Sequence, residues 1–255
     1  MTKRQAEPIA EPAEGLAAWL LSPAGRSVAG QEAAIANEVL ADLFGYHIVQ
    51  LGDPYEAPLI GTSRISHAVV VGDLDRPAGL AARHDALPLA SGSVDVLVLP
   101  HQLEFAARPH EVLREAERVL IAEGHLLLFG FAPASWYGLW RLALGWRGEA
   151  PWSGQFLRRS RLADWLKLLG LEIVRAGSCS HRPPLRNPRR FERLAWMERL
   201  GRHFWPRAGN CYWLLARKRV LGVRPVRALR TRRVRLPATG AVETGMRQLP
   251  REDGE

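Results

Sequence analysis

Cysteine is scarce in this 255-residue chain: Cys179 and Cys211 are the only two. That excludes a disulfide framework. With no metal-ligand neighbours beside either thiol, the expectation is a reducing compartment and no metal site. The sequence leaves open whether the two pair with each other. Long apolar runs are absent as well, and none approaches the roughly 20 residues of a membrane span. The opening residues MTKRQAEPIAEPAEG hold no apolar leader segment, so secretion is not expected and a cytoplasmic location is. Histidines at metal spacing are missing: His47, His67 and His84 are spread out and read as structural. Acid is short relative to base, with 26 Asp and Glu against 35 Lys and Arg, a formal net charge of +9. A basic balance points to nucleic acid, an anionic surface or an acidic partner, or only to an arginine-rich composition.

What is present fits a globular α/β protein. The hydrophobic fraction is 47% and the charged fraction 24%, and the length suits one well-buried domain. Residues 1–13 are polar, contain Pro8 and Pro12, and are expected to be disordered. Leu16, Trp19 and Leu20 begin a short helix that Pro23 and Gly25 should end. Ser27 is then expected to cap a second helix carrying Val28, Ile35, Val39 and Leu40. Strands are expected at 47–52, 68–71 and 80–83.

The most informative stretch is 84–131. Val94 to Leu99 is a β-branched apolar run after the turn Ser91-Gly92-Ser93, as in a strand covered on both faces. Pro109 suits a first helical turn, and Val112, Leu113, Ala116, Val119 and Leu120 follow on one face. Gly124 should stop that helix before a second buried strand, His125 to Phe129. Strand, crossover helix, strand is a βαβ unit, and ligands of such sheets sit at the carboxyl ends of the strands. Here that end is Pro100-His101-Gln102. Beyond it lie an aromatic segment (Trp136, Tyr137, Trp140, Trp146) and a helix capped by Ser160. A strand at 171–174, a basic proline-rich loop at 181–190, a helix at 191–204 and a last strand at 210–218 complete the domain. From 220 to 255 the pattern decays into a basic tail with Arg224, Arg227, Arg230, Arg232, Arg233 and Arg235, expected to be mostly disordered.

Taken together, several of these segments resemble one known family. Asp85-Ala86-Leu87-Pro88 comes first, then the Ser-Gly-Ser turn and Val94-Asp95-Val96. Leu103-Glu104-Phe105, the Pro109 helix and Gly124-His125-Leu126-Leu127-Leu128 follow. The order is similar to that of the class I S-adenosylmethionine-dependent methyltransferases, and closest to their type 11 group. The resemblance implies a domain over 14–219 with a Rossmann-like, mostly parallel sheet, helices on both faces and an antiparallel last strand. It implies S-adenosyl-L-methionine as cofactor and a methyl acceptor that the sequence does not identify.

Carried over residue by residue, the resemblance puts Gly52 at the methionine and ribose portion and Asp73 (or Asp75) at the ribose hydroxyls. Asp85, Ala86 and Leu87 fall at adenine, and Pro100 beneath the sulfonium. His101 becomes the candidate to orient or deprotonate an acceptor. Trp136, Trp140, Trp152 and Phe156 are candidates to line the acceptor side. The family's G-x-G-x-G run is reduced to Gly52, with Gln50 where a carboxylate is usual and Pro54 and Glu56 where later glycines would stand. Pro54 and Glu56 add bulk where the backbone should approach the cofactor, and Pro54 also lacks an N–H. A competing expectation follows: a methyltransferase-like binding protein that has lost catalysis and uses its basic tail on RNA or another polyanion. A nicotinamide-dependent dehydrogenase is disfavoured, because no G-x-G-x-x-G follows the first strand.

Overall fold

The computed structural model describes residues 12–72, 79–205 and 208–219. Seven strands form one sheet: β1 (His47–Leu51), β2 (His67–Gly72), β3 (Leu80–Ala81), β4 (Val94–Pro100), β5 (Leu120–Phe131), β6 (Leu171–Cys179) and β7 (Cys211–Lys218). Their order is β3-β2-β1-β4-β5-β7-β6. The first five neighbours pair in parallel, while β7 runs antiparallel to both β5 and β6. This is the Rossmann-like methyltransferase sheet that the resemblance implied.

Alternation along the strands builds the two layers. Ile48 faces one side with Val96 and Val98, against Ala36, Val39 and Leu40 of α2 (Pro23–Ala41). Val49 faces the other with Leu97 and Leu99, against Leu113 and Ala116 of α4 (Pro109–Val119) and Leu162 and Leu166 of α6 (Arg159–Leu168). A period of two therefore sorts adjacent residues into separate cores. β4, buried along nearly its whole length, is the central strand, as its unbroken apolar run required.

Several boundaries differ from the sequence-based expectation. Pro23 starts a helix: α1 (Pro12–Leu20) ends before Ser22, whose side chain accepts from Gly25 N at 3.1 Å and caps α2. Proline fits there because a first-turn N–H has no helical partner. Gly25 allows the contact, since a Cβ would collide with Trp19 O. Ser160 lies inside α6 and does not cap it. Gly124 does not end α4 either. The backbone is already extended at Leu120, and Glu123 (φ 64°) with Gly124 forms an irregularity before regular pairing resumes at His125. The single helix expected at 191–204 is two, α7 (Pro188–Arg193) and α8 (Ala195–Phe204), meeting at Leu194.

Two insertions leave the carboxyl edge of the sheet. One follows β5 and contains α5 (Trp136–Leu144) and a 3-10 turn (Gly145–Arg147). The other joins β6 to β7 and contains α7 and α8. Phe131, Cys211 and Cys179, where they are rooted, are register neighbours. Of the segment 1–13 expected to be disordered, Pro12 and Ala13 open α1; the rest of it, the expected tail at 220–255, and the candidates Asp73 and Asp75 lie outside the described residues.

Candidate active site at the carboxyl ends of the strands

β1 ends at Gly52 with φ of +76°, a left-handed conformation that glycine adopts without strain. Its N–H donates to Val71 O at 2.7 Å, so β1 and β2 stay paired to their ends. Gln50, fully buried on β1, explains how the loop holds its shape without more glycines. Its amide nitrogen donates to Gly52 O at 2.9 Å, and its amide oxygen accepts from Leu59 N at 2.8 Å. A carboxylate could accept but not donate. The glutamine therefore braces both arms of residues 52–59. Tyr55 packs inward and donates to Glu32 Oε2 on α2 at 2.8 Å, the carboxylate that also holds His101 at the end of β4.

β4 passes through Pro100 into His101, which has left-handed backbone (φ 55°, ψ 19°) and opens the short α3 (Gln102–Phe105). The His101 ring is wholly buried and stacked on Phe131 at 4.0 Å between centroids. Its Nε2 lies 2.9 Å from Glu32 Oε1 and its Nδ1 3.2 Å from Glu104 Oε1. Glu104 Oε1 also accepts from Phe131 N at 2.7 Å. Burial alone would lower the His101 pKa, but the two carboxylates overturn this and raise it to about 10. At neutral pH the ring is an imidazolium that donates from both nitrogens. Sequence reading missed Glu32, 69 positions away; its one signal was an acid on the buried face of a helix.

Beside this closed cluster is a looser contact. The position a Cβ would take on Gly52 is filled by the amide of Gln102, which donates a long hydrogen bond, 3.4 Å, to Pro100 O. Gly52 and Pro100 thus meet across neighbouring strands, with a flexible side chain between them.

The adenine candidates follow β3. The Asp85 carboxylate is held in two places by Arg83, at 3.0 and 2.8 Å, and that guanidinium keeps its pKa below the usual carboxylate range. Ala86 N donates to Arg83 O, and Leu87 N to Glu115 Oε1 at 2.7 Å. Arg118 links Glu115 to Leu87 O and Leu89 O, which fixes this loop on α4. Asp85 is partly exposed, whereas the Leu87 N–H is committed internally.

The frame fits S-adenosylmethionine at the carboxyl ends of β1 and β4. Bare left-handed backbone stands at Gly52 and an acid at Asp85, and the side chain nearest to Gly52 among the described residues is an unbranched glutamine, Gln102. Metal chemistry has less support. Among the described residues, Glu32, Cys179 and Cys211 form the one set of three groups near enough to share a cation. Both Glu32 oxygens, however, already bind Tyr55 and His101. The thiols are reduced and adjacent, and burial pushes Cys211 well above its ordinary range, so it stays protonated.

Toward the acceptor side, Trp152 and Phe156 belong to a core with Trp19, Phe131 and Tyr137, and Trp140 is half-buried against it. Of the four aromatic candidates only Trp136 is substantially exposed. A cavity of about 450 Å3 opens instead at the roots of the two insertions. Ala132, Pro133, Arg158, Arg159, Ser178 and Tyr212 are among its walls. His47 and His67, distant in sequence, meet at 2.9 Å at the opposite end of β1 and β2, remote from this edge.

Comparison with known proteins agrees with this geometry. A family model described as a methyltransferase domain matches residues 62–128. A SAM-dependent methyltransferase from Thermotoga maritima superimposes with a TM-score of 0.54 at 17% identity, over 76% of this chain and 90% of that one. One from Archaeoglobus fulgidus does so at 0.52 and 13%, over 74% and 94%. These likenesses show the fold. In sequence, the chain is 32% identical over 189 residues to the uncharacterized protein YafS of Escherichia coli, covering 72% of this chain and 73% of that one. The chain belongs to the YafS family, and its fold is that of the class I S-adenosylmethionine-dependent methyltransferases. In this methyltransferase domain the glycine-rich loop is reduced to Gly52, and Gln50 supplies the bracing described above.

Proposed function

We propose that the protein transfers a methyl group from S-adenosylmethionine to an acceptor entering from the side of the two insertions. The observation that carries this reading is Gly52: bare, left-handed backbone at the end of β1, facing the end of β4, in a sheet of this strand order. The cofactor supplies a methyl group already activated on a sulfonium. The protein's part is therefore binding, alignment and exclusion of water. Gly52 and Pro100 would flank the methionine and ribose portion, and Asp73 would take the ribose hydroxyls. Asp85 would accept from the adenine amino group, with Ala86 and Leu87 beside the ring; Leu87 contributes apolar contact, since its N–H is spent on Glu115.

His101 acts as a positioning residue in this reading. A general base needs a free lone pair, and both of its ring nitrogens face carboxylates. By holding Glu32 of α2 and Glu104 of α3 together, it fixes the floor on which Gln102 and Pro100 sit. The acceptor would occupy the cavity that runs from Ala132 after β5 past Tyr212 on β7 to Ser178 on β6, one to three strands from β4 and so roughly 5–15 Å sideways from it. Arg158 and Arg159 on its wall favour an acceptor bearing an acidic group.

Titration calorimetry of the full chain with S-adenosylmethionine and S-adenosylhomocysteine tests the reading. One saturable site for each is expected. No heat with either at millimolar concentration would overturn it and leave a methyltransferase fold without its reaction.

A further inference from the structure

Each insertion carries a helix with an apolar outer face that no described residue covers. On α5 and the turn after it, Trp136, Leu139, Leu142 and Trp146 are 47, 50, 82 and 79% exposed. At 100° per residue these positions fall within about a third of the helix circumference. On α8, Trp196, Leu200 and Phe204, spaced by four, are 53, 38 and 61% exposed, with Trp205 at 64%. Isolated exposed apolar residues need no explanation, but two stripes at one edge of a sheet do.

Arginine is interleaved with both stripes. Between residues 181 and 205 there are seven arginines and two glutamates. Arg189, Arg190, Arg193 and Arg199 are exposed and make no ion pair among the described residues. Arg147 packs its guanidinium over the Trp146 ring at 5.3 Å. Arg199 and His203 flank the α8 stripe. The two insertions are tied at their bases: Arg186 of the second reaches Glu149 of the first at 3.2 Å. The cavity with Arg158 and Arg159 lies at the roots of both.

We infer that these two stripes dock the protein on an anionic lipid bilayer, with the cavity at their roots turned toward it. The chemistry selects this occupant. A second copy of the chain would bring two arginine-rich surfaces together. A nucleic acid would satisfy the arginines but leave Leu139, Leu142 and Leu200 nothing apolar to enter. A bilayer satisfies both. Leucine enters the acyl boundary, tryptophan sits at the headgroup level and arginine meets lipid phosphate. Packing supports the α8 orientation: buried Glu198 binds His181 and Arg182, and Gly201 lets His181 pack close, so the opposite face is held outward.

The test uses the full chain with vesicles of phosphatidylcholine, alone or with a third replaced by phosphatidylglycerol. All nine tryptophans lie between Trp19 and Trp213, so their emission reports on the insertions and not on the basic tail. The expected result is co-sedimentation with the anionic vesicles and a blue shift of tryptophan emission. Binding should weaken about fivefold for each of Arg193→Gln and Arg199→Gln, and be lost in Trp146→Glu/Trp196→Glu with circular dichroism unchanged. Sedimentation without a blue shift and indifferent to Trp146→Glu/Trp196→Glu would assign binding to the tail and overturn the inference. So would equal binding to both vesicle types, or binding to RNA but to neither. Cofactor titration of the same double variant separates this from the proposed activity: unchanged cofactor affinity with lost vesicle binding is expected.

Discussion

Two sites lie side by side at the ends of β1 and β4 and are built in opposite ways. Around His101 every strong contact is short, buried and charge-assisted, and it joins α2, β4, α3 and β5. Around Gly52 the nearest side chain among the described residues is the Gln102 amide, held by a bond of 3.4 Å. One is a clamp that cannot rearrange without exposing charge, and the other can open by rotating one side chain. The contrast divides fixed floor from movable cover, and it tells which substitutions should damage folding and which should alter binding.

The largest expected effect breaks the clamp. His101→Ala removes the cation between two buried carboxylates, and stranding such groups costs about 4 kcal/mol. For a domain of this size that lowers the melting temperature by roughly 10 °C, measured by calorimetry. Loss of less than about 1 kcal/mol would mean the carboxylates are neutralised in another way. Alkaline pH probes the same clamp. Because the folded pKa of His101, about 10, lies above its ordinary value of 6.5, its stabilisation is complete below the lower value and is lost as pH rises through the upper. Tyr55 and Cys211 are also raised, but act only near their own higher ordinary values. His125, held low by burial, is neutral in both states here. Between pH values of about 7 and 8.5 the slope should therefore belong to His101, about 2 kcal/mol in all. His101→Gln should flatten it.

The same contrast explains what the sequence disclosed. The βαβ unit was legible because its physics is local: an apolar run, proline at a first helical turn and a period of 3.6 on α4. The mostly parallel sheet with its antiparallel last strand followed from the resemblance, and the structure has it. Glu32 was not legible as a partner of His101, because 69 intervening residues and two helix–sheet packings bring them together. Nor was the meaning of Gln50, whose two-sided amide is needed only once Gly52 and Leu59 have folded against it. The misplacement of the first two helices has a local cause. Proline and glycine at 23 and 25 read as a stop, while Ser22 caps and Trp19 O crowds position 25.

The glycine end of the comparison is tested by adding one methyl group. Gly52→Ala must hold a Cβ in left-handed backbone, at about 1–2 kcal/mol, and must push the Gln102 amide aside. Affinity for S-adenosylhomocysteine should fall about tenfold, equivalent to about 1.4 kcal/mol. Gly92→Ala is the control. Gly92 also has positive φ (62°), but nothing lies within 4 Å of its added Cβ. It should lose similar stability with unchanged affinity. Equal loss of affinity in both variants would show that the effect travels through folding and not through the site.

The smallest expected effect is the most discriminating, because it should improve binding. If Gln102 covers Gly52 in the free protein, the cofactor must displace it and lose the competing contact. That contact is one long, uncharged hydrogen bond, worth about 0.5–1 kcal/mol at most. Gln102→Ala should therefore tighten S-adenosylhomocysteine binding about threefold. It should do so with little change in the melting temperature of the free protein, since the bond given up is long and uncharged. Gln102→Met, similar in length but without the amide, should fall between the two if cover rather than hydrogen bonding sets the cost. Weaker binding in Gln102→Ala would make the amide a ligand of the cofactor. The Gly52 gap would then be preformed, with Gln102 as part of its wall.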